Sequence, residues 1–81
     1  MQAGSQVIAP GAECGEHSTG SHEEVLVVLS GRGTLKSGGG VELPIRGGQA
    51  VYVPPSTAHN VVNNGEDWLR YVFVVAPVQE I

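Results

Sequence analysis

GQAVYVPPSTAHNVVN, residues 48–63, decides how this chain is read. Gly47 and Gly48 turn the chain into residues 49–53, a short strand of alternating character. Pro54-Pro55-Ser56 follows as a rigid loop, because proline fixes φ and cannot donate to a β-ladder. Residues 58–62 return as a second strand carrying His59, and Asn63-Asn64-Gly65 is a strong turn signal.

The rest of the chain repeats this rhythm. WLRYVFVV, residues 68–75, is the last long strand, and Pro77 ends it. Residues 41–45 form a strand in which Pro44 argues for an edge position. Ser37-Gly38-Gly39-Gly40 joins it as a hairpin loop to residues 34–36, and Gly31-Arg32-Gly33 marks a turn or bulge. EVLVVLS, residues 24–30, is dense in β-branched residues and is the strongest strand. It is apolar on both faces, which implies burial on both sides or a dimer contact. Residues 12–19 read as an irregular strand leading to a loop at Gly20-Ser21, and SQVIAP as a first strand before the Pro10-Gly11 turn. No segment carries a helical period. Short strands at regular spacing predict a sandwich or barrel, hence an all-β fold.

With 81 residues the chain is one small domain, and 41% hydrophobic content lets it build a core. A domain of this size is marginal alone, so a partner copy or a bound metal is a natural source of stability. The net charge of −4 argues against a nucleic-acid partner, and Arg32, Lys36, Arg46 and Arg70 do not cluster in sequence. No apolar run reaches the length of a membrane span. MQAGSQVIAPG lacks the charged and apolar regions of a signal peptide, and the single Cys14 fits a reducing compartment, so cytoplasmic residence is expected.

Residues 48–63 resemble the second motif of the cupin superfamily, G-x5-P-x-G-x2-H-x3-N. Gly48, Pro54, His59 and Asn63 fall at its spacings, and Ser56 stands where the motif has glycine. The earlier region resembles the first motif, G-x5-H-x-H-x3,4-E-x6-G. Glu24 lies seven residues before Gly31, His17 fits the first histidine, and Thr19 stands where the second would be. The resemblance covers about residues 10–77. It implies a single-domain jelly-roll β-barrel spanning residues 1–81, and a homodimer in which terminal strands extend a neighbour's sheet. It also implies a divalent transition metal at the barrel mouth, held by His17, Glu24 and His59. Two imidazoles and a carboxylate suit iron, manganese, nickel, zinc or copper alike, so the donor set does not choose the ion.

The remaining candidates take lesser roles. His22 shares side-chain parity with Glu24 if the strand reaches back to it, which makes it a secondary ligand candidate and the best proton carrier near the mouth. Thr19, His22 and Tyr52 are candidates to line a substrate pocket. Arg70 either points outward or anchors an anionic substrate. Asn63 is expected to shape its turn by bonding backbone, and Tyr71, Trp68 and Phe73 to pack. The resemblance implies metal-dependent dioxygenase, isomerase or decarboxylase chemistry on a small oxygen-bearing molecule such as a sugar or organic acid. A non-catalytic small-ligand or sensor module, with or without metal, is the alternative. Turnover on a substrate panel separates the two.

Overall fold

The strands follow the alternation in the sequence. In the computed structural model, which describes residues 1–78, β1 (Gln2–Ile8), β3 (His22–Ser30), β6 (Ala50–Val53) and β8 (Leu69–Pro77) make one sheet, ordered β1-β8-β3-β6. The other sheet contains β2 (His17–Ser18), β4 (Arg32–Ser37), β5 (Val41–Arg46) and β7 (Ala58–Val62), ordered β2-β7-β4-β5. Every pairing is antiparallel. The two sheets form the expected all-β jelly roll, with a 3-10 turn at Gly38–Gly40 in the β4–β5 hairpin. Pro44 lies on edge strand β5, where its missing N–H costs no ladder bond.

Inward-facing residues alternate along each strand and meet between the sheets. Ile8, Leu26, Val28, Leu35, Ile45, Val53, Val61, Leu69 and Tyr71 form the buried core. EVLVVLS therefore resolves into two faces. Leu26 and Val28 are buried, while Val25 and Leu29 are 37% and 59% exposed, so the strand is not buried on both sides. Register places Val25 beside Val74 and Tyr52, and Val27 beside Val72, on the same outer face. That face is unusually apolar for a surface.

The sheet begins ahead of the expected core start near residue 10. β1 pairs with β8 from Gln2↔Val75 to Ile8↔Leu69. Its polar, glycine-containing sequence hides this, because the strand is held by backbone bonds and by only one buried side chain, Ile8. The Gly31 turn is a bulge, as expected. The β3–β8 register slips between Val28 and Ser30, and Gly31 takes a φ of 83° with its α-carbon against the Trp68 carbonyl, where a Cβ would clash.

Candidate metal centre and cavity

β2 and β7 set two histidines side by side. His17 pairs with His59 in register, so both rings project to the same side of the sheet, with centroids 4.2 Å apart and edge to face. Glu24 comes from β3 in the opposite sheet, where its parity with Leu26 and Val28 points it inward. One ligand atom from each of His17, Glu24 and His59 lies within 4.8 Å of the other two. Two strands close in sequence, β2 and β3, and the distant β7 thus deliver two imidazoles and one carboxylate to a single point.

Backbone carbonyls orient both rings. His59 Nδ1 lies 3.1 Å from the Thr57 carbonyl, and His17 Nδ1 lies 3.1 Å from the Gly15 carbonyl. A carbonyl can only accept, so in the neutral ring Nδ1 carries the hydrogen and Nε2 offers its lone pair. His59 Nε2 meets Glu24 Oε1 at 3.1 Å, with the His59 ring 2% exposed and Glu24 8% exposed. A lone pair facing a carboxylate oxygen in so dry a place needs a cation between them, either a proton or a metal. The donor set and its orientation fit a first-row divalent ion, and His17, Glu24 and His59 are the residues that would hold it.

Thr19, at the position of the family's second histidine, has its hydroxyl committed elsewhere. It donates to the Pro54 carbonyl at 2.7 Å and accepts the Thr57 N–H at 3.1 Å. It thereby braces the Pro54-Pro55 loop and positions the segment that bears His59. Ser56, at the glycine position of the motif, keeps the left-handed conformation with φ 53°, and its N–H bonds the Gly20 carbonyl at 2.8 Å. That conformation costs a non-glycine residue on the order of 1 kcal/mol. The motif's geometry survives the substitution.

The cluster opens into a cavity of about 320 Å³ between the sheets. Thr19 and His22 line it, together with the three clustered residues. His22 does open β3, which gives it the parity of Glu24, but its ring lies outside the convergent set. Tyr52, expected to line the pocket, does not line this cavity. It sits on the outer face opposite Val25, 54% exposed, with its hydroxyl donating to Glu23 at 2.9 Å. The register of β6 against β3 puts odd-numbered Val51 and Val53 inward and Tyr52 outward. Arg70 also points outward and is exposed between buried Leu69 and Tyr71.

Several lining residues carry no individual signal in the sequence. Gln2 and Gln6 on β1, Cys14, and Tyr71 and Phe73 on β8 face the cavity. Burial pushes the Tyr71 hydroxyl well above the ordinary phenol value, with Cys14 and Glu24 adding to the shift, so it remains a neutral hydroxyl. Inward alternation from Leu69 along β8 is the signal that finds Tyr71 and Phe73.

A family model described as the cupin domain matches residues 4–75. Auxin-binding protein 1 of Arabidopsis thaliana is 35% identical over 79 residues, covering 88% of this chain and 39% of that protein. A Cupin 2 conserved barrel domain protein from Salinispora arenicola has a structure similar at TM-score 0.80 and 33% identity, over 90% of this chain and 59% of that one. A predicted oxalate decarboxylase from Thermotoga maritima superposes at TM-score 0.87 with 22% identity, over 94% of this chain and 65% of that one, a likeness of fold. The chain thus spans less than two thirds of the length of each of these relatives.

Proposed function

This chain belongs to the cupin family, and on that premise we propose that it holds a divalent transition metal through His17, Glu24 and His59 and binds or transforms a small oxygen-bearing molecule in the adjoining cavity. The observation that carries this reading is the convergence of one ligand atom from each of three strands within 4.8 Å. A metal there would supply Lewis acidity, polarising a ligand oxygen, with room for dioxygenase, isomerase or decarboxylase chemistry on a sugar or organic acid. The protein's own contribution is to hold the two rings by their Nδ1 atoms, keep one face of the centre open to the cavity, and present His22 at the rim as the available proton carrier.

Metal content tests this reading. The purified protein is expected to carry near-stoichiometric metal by elemental mass spectrometry, and His59→Ala to lose it. Metal-free protein that stays metal-free after incubation with divalent ions would sink the proposal.

A second reading, a non-catalytic ligand-binding or sensor module, gains support from the Thr19 hydroxyl being consumed by the Pro54-Pro55 loop. Few groups are then left to move protons, and saturable binding without turnover on a substrate panel would favour it.

We further propose a homodimer through the outer face of the β1-β8-β3-β6 sheet, because Val7, Val25, Leu29 and Tyr52 are exposed there at 37–59%. The expected outcome is a dimer in light scattering that Val25→Lys with Leu29→Glu converts to monomer; a monomeric parent chain overturns it. Cytoplasmic residence, proposed from the single Cys14, is checked by cell fractionation. No helix among the described residues is long and apolar enough to cross a membrane.

A further inference from the structure

All four Lys and Arg side chains lie outside the cavity that serves the candidate metal centre, Lys36 lining a second cavity that His59 also borders. Arg32 and Arg46 stand opposite one another on β4 and β5 and line a separate cavity with Glu66 and Asp67. Lys36 is exposed and reaches Glu42 at 3.7 Å. Arg70, the sequence's candidate anchor for an anion, points outward from β8. No Lys or Arg lines the metal-side cavity.

We propose that this cavity admits small oxygen-bearing molecules carrying at most one negative charge and an apolar flank, with Gln2 and Gln6 selecting among them; this rests on the metal-centre reading above. A divalent ion held by one carboxylate and two neutral imidazoles leaves a single net positive charge. One ionised oxygen of a ligand balances it. A second would sit in a partly desolvated space facing Glu24, with no cation to repay its lost hydration. His22 is exposed at the rim, where solvent screens any charge it carries.

The uncharged lining shows what replaces a cation. Gln2 and Gln6 face inward from β1, in register with Val75 and Tyr71. The Gln6 amide meets only the Cys14 sulfur, at 4.0 Å, a weak acceptor, and the Gln2 side chain makes no hydrogen bond among the described residues. Both amides are therefore available to a ligand, and each offers a donor and an acceptor, which suits hydroxyl and carbonyl groups. Phe73 and Val75 on β8 beside the glutamines, Leu26 on β3, and Val61 on β7 of the facing sheet give the rest of the lining its apolar character.

The test uses the full chain loaded with Zn2+, metal uptake being measured first. Calorimetric titration then compares 1-phenyl-1,2-ethanediol (uncharged) and mandelate (one charge) with malate and oxalate (two charges), with metal retention checked after each. The diol and mandelate are expected to bind at least about tenfold more tightly than either dianion. Gln6→Arg is expected to raise malate affinity by about tenfold or more at unchanged metal stoichiometry, since a guanidinium facing the cavity can clamp the second carboxylate. If that variant does not fold, Gln2→Arg takes its place. Malate or oxalate binding as tightly as mandelate to the parent chain overturns the proposal, as does failure of both aromatic probes to bind. Absence of Zn2+ uptake would instead defeat the metal reading. The same titration of metal-free protein then still decides the charge rule, because the lining holds no Lys or Arg: diol binding sustains it and dianion binding overturns it.

Discussion

Glu24→Gln is expected to fold at least as well as the parent chain while its metal affinity falls on the order of 100-fold or more, the range reached by changes that only touch a ligand's partners. The reason is the contact between His59 Nε2 and Glu24 Oε1, 3.1 Å long and buried. With the His59 Nδ1 hydrogen given to the Thr57 carbonyl, the two facing atoms are both acceptors until a cation joins them. A glutamine has the same shape and turns an N–H towards Nε2, so the pair is satisfied without any cation. The pair then contains no buried charge, so the cost of desolvating an ionised carboxylate is removed while both polar atoms stay hydrogen-bonded. The amide also removes the only anionic ligand of the set, which weakens its hold on a divalent ion. Thermal unfolding with and without added metal reads both effects at once. The parent should gain about 2.7 kcal/mol at a metal concentration of roughly 100 times its Kd. The variant should gain almost nothing at that concentration. A variant that unfolds would mark Glu24 as a structural partner of His59. One that keeps the parent's metal affinity would remove Glu24 from the centre.

The parts of this site legible in the sequence were those fixed by local geometry. His59 is reached through a two-proline loop and a short strand, so its placement follows from adjacent residues. Glu24 opens the most β-branched segment of the chain, and its inward direction follows from the buried partners Leu26 and Val28. His17 was harder, because its strand has only two residues and draws its direction from pairing with His59. Tyr52 was misplaced because side-chain direction in a strand has a period of two, and nothing in AVYV says which parity faces in. Only the register of β6 against β3 decides that. The cavity wall on β1 was illegible for a related reason. Gln2 and Gln6 have no local pattern that marks them as inward, and their direction comes from β8, almost seventy residues away in the chain. Thr19 shows the opposite case, a departure from a family pattern whose cause is visible only when its two backbone partners are.

Asn63→Ala is expected to lower stability by about 3 kcal/mol and Tm by roughly 15 °C, the largest loss from any single polar side chain outside the metal centre. Asn63 is fully buried, and each of its side-chain polar atoms is used. Nδ2 donates to the Ile8 carbonyl and to the Asp67 carbonyl, both at 2.8 Å, and Oδ1 accepts the Gly65 N–H at 3.0 Å. Its backbone also exchanges bonds with the 11–12 turn, accepting from Gly11 and donating to Ala12, each at 2.9 Å. One amide therefore ties the end of β1, the turn after β7 and the approach to β8. Alanine would leave two carbonyls and an N–H without their side-chain partner, the Ile8 carbonyl among them in the buried interior. Asn63→Asp separates donor loss from simple loss of bulk. It preserves the volume and the bond from Gly65, yet turns a carboxylate oxygen towards two carbonyls, so it should be at least as damaging as alanine. If Asn63 instead served the cavity, both variants would keep the parent's Tm and change ligand binding. The geometry requires the reverse: a large fall in Tm, with metal stoichiometry retained in whatever fraction remains folded at low temperature.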